Sequence, residues 1–367
     1  MTAARCVRWA VLTAALLAAL AAPAGARAEA GSRSGSEIYA RFREHLAEPE
    51  CAPDASARWR RHFAAAPGRM ASSRDDVMPL FGYVVDALIE SDLPTEFALI
   101  PFVESGYRPG AKSAGGPAGL WQMIGLTARK HGIPMRPGYD GRLSPVDSTR
   151  AAVRYLKTLY GMFAGDWRLA AMAYNAGENR ILGALRRSGQ EARSVDLDKL
   201  GGVPAITIAY VRKLHALACV LDEADDGAQW RAAIDRQVPL LTDISVPPGT
   251  TLDSWAERNG LDVAALRRMN PALGHGRMGN GHKVLAPGRP ESRATRAFWP
   301  DGEAVFDVAP GSAPASASAA GRTHTVRRGE SASRIAARYR VRTLQLLQRN
   351  GLDERSVLQP GMVLKID

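Results

Sequence analysis

The sequence predicts a mainly α domain followed by two small α+β modules, each with the order strand–helix–helix–strand (βααβ). Apolar residues recur at helical spacing from about Glu37 to Leu221, and no convincing strand alternation is present before residue 240. An internal repeat occupies the C-terminal third of the chain. A length of 367 residues is sufficient for two or three domains of this kind.

The first informative helix of the α domain leads to Glu104. Ser91 or Asp92 is predicted to cap this helix, and Pro94 and Glu96 fall in its first turn, a common start signature. Its buried side is predicted to consist of Phe97, Ile100 and Val103. The helix therefore places an acidic side chain at the end of an apolar run.

Three further helices are predicted in this domain, which is placed at residues 78–222. Asp147 is predicted to cap the second helix, and Asp166 is predicted to cap the third, which ends near Gly177. The fourth helix is marked by apolar residues at helical spacing, namely Ile206, Tyr210, Leu214, Leu217 and Leu221.

The internal repeat has one copy at residues 243–288 and another at residues 323–367. At an offset of 80, Val246, Gly249, Ala256, Leu266 and Asn270 align with Val326, Gly329, Ala336, Leu346 and Asn350. The closing strands align at an offset of 79, Val284 with Val363 and Leu285 with Leu364. Between the copies, residues 308–322 are rich in Ala, Ser, Pro and Gly, which predicts a flexible linker.

The first 28 residues have the pattern of a secretory signal peptide. Arg5 and Arg8 precede an apolar stretch, and Ala26-Arg27-Ala28 has the A-x-A form of a cleavage site. This pattern predicts export across the inner membrane into the periplasm or cell envelope, and a retained anchor helix is the alternative. Residues 29–77 then form an N-terminal helical extension.

Charge and cysteine content narrow the classes of partner. The formal net charge of +11 favours an anionic surface such as a cell wall, and no basic run with interleaved aromatic residues indicates nucleic acid.

Cys51 and Cys219 remain after the signal peptide and can form one disulfide if the fold brings them together. No metal-ligand spacing or glycine-rich phosphate loop is present, so no metal and no cofactor is predicted.

Glu104 is the strongest candidate for a catalytic residue. It follows the apolar run at residues 97–103. Desolvation disfavours the charged form of a carboxylate, so this neighbourhood is expected to raise its pKa. A raised pKa is what a general acid that works near neutral pH requires.

The C-terminal copy of the repeat resembles a LysM domain. The resemblance is carried by Thr323-His324-Thr325-Val326-Arg327-Arg328-Gly329-Glu330-Ser331, by Leu347-Gln348-Arg349-Asn350-Gly351-Leu352 and by Leu358-Gln359-Pro360-Gly361. It implies a βααβ fold that binds glycans containing N-acetylglucosamine. Glu330 stands where the family usually has Asp, and Ala332 where it usually has Leu. The earlier copy resembles a degenerate LysM module.

Residues 78–222 resemble the lytic transglycosylase domain of the goose-lysozyme-like (SLT domain) superfamily, closest to the membrane-bound lytic murein transglycosylase D group. Four motifs carry the resemblance: Glu104-Ser105, Gly119-Leu120-Trp121-Gln122, Ala173-Tyr174-Asn175-Ala176-Gly177 and Tyr210-Val211-Arg212-Lys213. Asn179 replaces a frequent glycine of that group, and Arg212 replaces its usual proline. The lipidation cysteine of the group is absent, so a membrane anchor is not carried over.

The resemblance implies cleavage of the β-1,4 bond between N-acetylmuramic acid and N-acetylglucosamine without water, which leaves a 1,6-anhydro end. Glu104 would be the single general acid and base. Ser113 and Gln122 would hydrogen-bond the sugar or its N-acetyl group, while Tyr174 and Tyr210 would position the substrate or Glu104. The implied substrate-binding set is completed by Asn175, Met123 and Ser105.

Three other functions remain open from the sequence. A hydrolytic muramidase on the same fold needs a positioned water and usually a second carboxylate, for which Glu178 and Asp140 are the candidates. A non-catalytic scaffold would use the first domain only to grip glycan. A chitin-directed enzyme is the third, because the glutamate chemistry and LysM domains both accept polymers of N-acetylglucosamine.

Overall fold

A computed structural model of the chain describes residues 31–51, 56–288, 323–326, 332–339, 341, 343–352, 356 and 362–366. The predicted signal peptide at residues 1–28 and the predicted linker at residues 308–322 lie outside these ranges. None of the helices in the described ranges is long and apolar enough to span a membrane.

Helices dominate the chain up to residue 234. They are α1 Gly35–Glu44, α2 Ala57–Phe63, α3 Ala66–Ala71, α4 Val77–Ile89, α5 Ile100–Glu104, α6 Gly125–Lys130, α7 Pro145–Met162, α8 Trp167–Ala176, α9 Glu178–Ser188, α10 Ala205–Asp226 and α11 Ala228–Ile234. Beyond them lie α12 Leu252–Arg258, α13 Val263–Met269, α14 Ala332–Tyr339 and α15 Thr343–Arg349. The prediction of a mainly α, lysozyme-like domain with small βααβ modules is confirmed.

The strands form antiparallel pairs. They are β1 Ser32–Ser34 with β4 Gln237–Pro239, β2 Met135–Arg136 with β3 Tyr139–Asp140, β5 Leu241–Ser245 with β6 Lys283–Pro287, and β7 Thr323–Thr325 with β8 Val363–Lys365. The strands before residue 240 were not predicted. They span two or three residues each, which is too short to produce an alternating pattern.

The segment that delivers Glu104 begins differently from the prediction. Neither Ser91 nor Asp92 caps a helix there, because the chain first forms a 3-10 turn at Thr95–Leu99 after Pro94. Helix α5 then begins at Ile100 and ends at Glu104, with a proline in its first turn, where no backbone N–H is needed. The predicted apolar side is present, with Phe97 and Ile100 fully buried and Val103 half-buried.

Helices α7 and α8 start at short polar side chains. Ser144, not Asp147, caps α7, and its Oγ accepts a hydrogen bond from the backbone N–H of Asp147 at 3.2 Å. Pro145 explains the difference, because proline favours the first helical position and leaves the cap to the residue before it. Asp166 caps α8 as predicted, and the helix ends at Gly177 with a φ of 88°.

The N-terminal segment is joined to the rest of the chain in two ways. Strand β1 pairs with β4, so the two ends of the helical region meet in one small sheet. A disulfide joins Cys51 to Cys219 of α10, with the Cα atoms 5.5 Å apart. The pairing that the sequence permitted is therefore formed, and it holds the chain before α2 against α10.

The first repeat copy has the predicted βααβ order, but the register of its closing strand was predicted wrongly. The Asn270 side chain donates to the Leu285 carbonyl and accepts from the Leu285 N–H, both at 2.8 Å. Asn350 makes the same pair of bonds to Lys365, at 2.9 and 2.7 Å. Leu285 therefore corresponds to Lys365, and the offset of 80 continues to the end of the repeat without the proposed shift to 79.

The first copy shares its hydrophobic core with the helical domain. Its buried residues belong to the same continuous cluster as α4 and α7, with β5 packed on α4 and β6 on α7. Asp243 pairs with Arg150 of α7 at 2.7 Å and with Lys283 at 2.6 Å. His282 stacks on Tyr139 with ring centroids 4.3 Å apart. The copy is therefore a fixed part of the helical domain.

The second copy has a core of its own. Its buried cluster comprises Val326, Ile335, Ala336, Leu346, Leu364 and Ile366. The comparison of equivalent positions reflects this difference: Leu285 is fully buried in the first copy, whereas Lys365 is exposed in the second. The position on the closing strand that is buried in the first copy is thus open to solvent in the second.

Glu96 is a buried carboxyl within the 3-10 turn. Its side chain is 3% exposed, and Oε1 accepts from the Glu48 N–H at 2.8 Å, whereas Oε2 has no hydrogen-bond partner among the residues that the structure describes. Burial raises the pKa of Glu96 from 4.5 to about 7. The folded state therefore retains a proton that the unfolded chain releases between these two pH values, and stability is lost as the pH rises through this window.

We expect the Glu96→Gln variant to gain stability relative to wild type as the pH rises from 4 to 8. A neutral amide removes the cost of a buried charge, which for the stated pKa difference is about 3 kcal/mol. The free energy of unfolding, measured in urea across this range, tests the expectation. Glu191→Gln, at an exposed glutamate, controls for the lost negative charge. Parallel stability curves for wild type and Glu96→Gln would contradict it.

Candidate active site

Glu104 lies at the C-terminal end of α5 and faces α10. The Tyr210 hydroxyl donates a hydrogen bond to Glu104 Oε1 at 2.7 Å. Burial raises the pKa of Glu104, while this hydrogen bond and the charge of Lys213 lower it to a smaller extent. The predicted direction of the shift is therefore found. Burial thus favours the protonated form of this carboxyl, while Tyr210 and Lys213 favour its ionised form.

Ser105 connects the end of α5 to the loop at residues 119–123. Its side chain is 3% exposed, and Oγ lies 2.7 Å from the Leu120 carbonyl and 3.1 Å from the Pro101 carbonyl. This hydroxyl fixes the backbone next to Glu104 relative to the loop. Its predicted contact with substrate stays a prediction.

Ser113 and Gln122 lie side by side, as a shared function requires. The Ser113 hydroxyl donates to Gln122 Oε1 at 2.7 Å. Gln122 Nε2 donates to the Gly119 carbonyl at 2.8 Å and to the Ala111 carbonyl at 3.2 Å. Ser113 is exposed and Gln122 is half-buried, so this pair borders solvent at one side of the loop.

The loop at residues 119–123 has a backbone that only certain residues allow. Gly119 has a φ of 82°, and a Cβ atom at this position would lie 1.7 Å from the Arg142 carbonyl oxygen. The fully buried Trp121 anchors the loop, and its indole Nε1 donates to Thr149 Oγ1 at 3.0 Å. The Arg142 guanidinium donates hydrogen bonds to the Met123 carbonyl of the loop and to the Gly116 carbonyl just before it.

Tyr174 brings α8 to the same loop. Its hydroxyl donates to the Trp121 carbonyl at 2.8 Å. Asn175 is exposed and Met123 is 3% exposed, and the predicted substrate roles of both residues stay predictions. The four sequence motifs thus meet in one connected set, which runs from Tyr210 through Glu104 and Ser105 to the loop and on to Tyr174.

The two candidates for a second carboxylate are both engaged in ion pairs. Glu178 accepts from the Tyr155 hydroxyl at 2.9 Å and pairs with Lys130 at 3.2 Å. Asp140 pairs with Arg142 at 2.8 Å, and this interaction lowers the pKa of Asp140. Within the described ranges, Lys213 is the charged group that acts on the pKa of Glu104, and no carboxylate does so.

Lys213 belongs to the motif Tyr210-Val211-Arg212-Lys213, but the sequence analysis assigned it no function. It follows Tyr210 by three residues on α10, so the two side chains share one face of that helix. That spacing was the feature of the sequence from which a position near Glu104 could have been inferred for Lys213.

In the part of the chain that the structure describes, no group of three or more His, Cys, Asp or Glu side chains is arranged to bind a metal ion.

These features define a helical domain with a half-buried glutamate at its centre. Residues 86–197 match the family model "Transglycosylase SLT domain", and residues 324–367 match the model "LysM domain". The segment that matches the SLT model thus precedes the segment that matches the LysM model.

Parts of the chain are similar in sequence to two named transglycosylases. Membrane-bound lytic murein transglycosylase D of Escherichia coli (strain K12) is 30% identical over 290 residues, which are 78% of this chain and 63% of that protein. Peptidoglycan transglycosylase gp16 of Escherichia phage T7 is 41% identical over 83 residues, 22% of this chain and 6% of that protein. The chain thus spans less than two thirds of the length of these relatives.

A solved structure also overlaps with the chain. The 70-kDa soluble lytic transglycosylase SLT70 from Escherichia coli is 19% identical, with a TM-score of 0.32. The overlap covers 50% of this chain and 32% of that structure.

Proposed function

We propose that this protein is a peptidoglycan lytic transglycosylase, a lyase that acts in the periplasm or cell envelope after export. It cleaves the β-1,4 bond between N-acetylmuramic acid and N-acetylglucosamine and leaves a 1,6-anhydro end. The observation that carries the proposal is the set of contacts through which the four motifs meet around Glu104. The names of the two related transglycosylases support the same class of substrate.

Glu104 acts first as the general acid. Its protonated carboxyl donates a proton to the glycosidic oxygen while the bond from that oxygen to the anomeric carbon breaks. The N-acetyl group of the substrate stabilises the positive charge on the anomeric carbon. The raised pKa of Glu104 supports this step, because burial favours the protonated form of the carboxyl.

Glu104 acts next as the general base. Its carboxylate accepts the proton of the sugar's C6 hydroxyl, and O6 attacks the anomeric carbon to close the anhydro ring. No water is consumed, and Glu104 ends in its protonated form. One carboxyl is sufficient for this sequence, in agreement with the ion pairs that occupy Glu178 and Asp140.

The surrounding residues bind and orient the glycan. Ser113 and Gln122 offer hydrogen-bonding groups at the solvent border, and Tyr210 orients the Glu104 carboxyl. Tyr174 and Ser105 hold the loop at residues 119–123 in place. A wider substrate-binding set includes Asn175 and Met123. The LysM domain adds a second contact with glycan containing N-acetylglucosamine and so raises the local concentration of substrate.

Mass spectrometry of the soluble products tests the proposal directly. The mature protein is incubated with purified peptidoglycan and, separately, with chitin oligomers. Products that end in 1,6-anhydromuramic acid are the expected result. Products one water heavier, with a reducing end, would make the protein a hydrolase. The absence of any product, with wall binding intact, would indicate a scaffold, and products from chitin alone would indicate a chitin-directed enzyme.

We expect Tyr210→Phe to shift the alkaline limb of the pH–rate profile to higher pH. The lost hydrogen bond stabilises the carboxylate, so its removal raises the pKa of Glu104 and keeps the general acid protonated further into the alkaline range. A fall of roughly 10-fold in kcat/KM is also expected, because the carboxyl loses its fixed orientation.

Tyr174→Phe is the matched control for this experiment. The Tyr174 hydroxyl binds the Trp121 carbonyl and not Glu104, so its removal leaves the position of the alkaline limb unchanged. An equal shift of the limb in both variants, or no shift in Tyr210→Phe, would contradict the assigned role of Tyr210.

A further inference from the structure

Helix α10 presents a second polar group beside the one that contacts Glu104. Tyr210 and Lys213 lie three residues apart and therefore share a face of the helix. Lys213 is half-buried, and its charge reaches Glu104 strongly enough to lower the pKa of that carboxyl. A cation thus lies at the edge of the candidate active site.

The ammonium of Lys213 is held on an aromatic ring. Its Nζ lies 4.6 Å from the ring centroid of Trp59 on α2, a distance typical of a cation–π interaction. Arg58 approaches the same ring at 4.8 Å. Trp59 is half-buried, and the edge-on His62 ring lies 5.7 Å from it between centroids.

Helix α2 is held firmly beside α10. The Cys51–Cys219 disulfide fixes the chain that precedes α2, and Arg60 pairs with Glu223 of α10. Both contacts come from residues outside the SLT family match at residues 86–197. The N-terminal extension therefore adds an aromatic residue to a face that the SLT match alone does not provide.

None of the carboxylates in the described part of the chain forms an ion pair with Lys213, although its charge acts on Glu104. Among the described residues, its neighbour Arg212 pairs with Asp198 at 2.9 Å, whereas no carboxylate pairs with Lys213 itself. A half-buried ammonium that has lost part of its hydration gains free energy when a carboxylate binds to it. The position beside Glu104 makes the substrate the natural source of that carboxylate.

We propose that Trp59 and Lys213 form a subsite for a carboxylate-bearing part of the glycan strand next to the bond that is cleaved. The inference rests on the proposed function and extends it to the substrate. The ammonium binds the carboxylate, and the Trp59 ring holds the ammonium in position through the cation–π contact. The carboxylate belongs either to a stem peptide or to the lactyl group of a peptide-free muramic acid.

Steady-state kinetics of the full mature chain test the subsite. Lys213→Gln is compared with wild type on soluble strands that retain stem peptides and on strands stripped by an amidase, at a pH on the plateau of the rate profile. The expected result is a rise of about 10-fold in KM with little change in kcat on at least one of these substrates. An effect confined to intact strands assigns the stem peptide, and an effect confined to stripped strands assigns the lactyl group.

Arg212→Gln is the matched control. It removes the same charge from the adjacent position of α10 but leaves the Trp59–Lys213 pair intact, so KM is expected to stay at the wild-type value. Trp59→Leu is expected to raise KM in the same direction as Lys213→Gln. Equal KM values for wild type and Lys213→Gln on both substrates would overturn the subsite.

Failure of the subsite proposal can be distinguished from failure of the proposed function. If wild type forms no product from any strand, the proposed function fails. Binding of the same strands to Glu104→Gln chains, with and without Lys213→Gln, then decides the subsite independently. Unchanged binding in that pair would overturn it. Weaker binding by the chain that carries Lys213→Gln, with a difference that shrinks as added salt screens the Lys213 charge, would support it.

Discussion

Glu104→Gln is expected to lower the rate of glycan cleavage by about 10³- to 10⁴-fold, because a single side chain serves as both the acid and the base. The amide can still accept the Tyr210 hydrogen bond, so the fold and the binding of glycan are expected to persist. Product release from purified peptidoglycan measures the rate, and co-sedimentation with the wall measures binding. Loss of the rate with intact binding would locate the defect in the chemical step.

Glu178→Gln is the control that separates one carboxyl from two. Glu178 is one of the two candidates for a second acid, and its ion pair with Lys130 and its bond from Tyr155 indicate a structural role. A change of less than about 10-fold is expected for this variant, since no proton transfer depends on it. Equal losses in the two variants would favour a two-carboxylate hydrolase. Wild-type activity in Glu104→Gln would overturn the assigned role of Glu104.

Asn270→Ala is expected to destabilise the whole helical domain, by about 3 kcal/mol. The change leaves the N–H and the carbonyl of Leu285 without partners at a buried position. Since the first repeat copy shares its core with α4 and α7, the loss is expected in one cooperative transition of the entire domain. Urea unfolding followed by tryptophan fluorescence measures both the midpoint and the number of transitions.

Asn350→Ala provides a matched control within the same chain. Asn350 makes the equivalent bonds to Lys365, but in a copy with a separate core. The midpoint of the main transition is therefore expected to stay at the wild-type value. If Asn270→Ala instead produced an early transition of its own and left the main one unchanged, the first copy would be an independent module.

The parts of the site that depend on local sequence were predictable. Glu104 follows an apolar run, and the burial that this run indicated raises the pKa of the carboxyl. The Asp166 cap and the end of α8 at Gly177 were likewise set by residues within one or two turns. The start of α7 was misplaced by one turn, because Pro145 was not given enough weight as a first helical residue.

The parts that depend on packing between distant segments were not predictable. Trp59 and Lys213 are more than 150 residues apart in sequence, and only the disulfide and the contact between α2 and α10 bring them together. The fusion of the first repeat copy to the helical domain had one signal. Leu285 stands where the second copy has Lys365, but the incorrect offset of 79 concealed that comparison.

Gln122 has a strained backbone conformation in the loop at residues 119–123. Its φ of 45° lies in the left-handed region, which costs a residue with a Cβ about 1 kcal/mol or more. Glycine would adopt this backbone without that cost but would remove the side chain that contacts Ser113. The same side chain also donates to the Gly119 and Ala111 carbonyls, so the backbone strain is offset by hydrogen bonds that glycine could not make. If Gln122 binds glycan as proposed, a substitution that relaxes this backbone also removes a contact with substrate, and stability and activity cannot be improved together at this position.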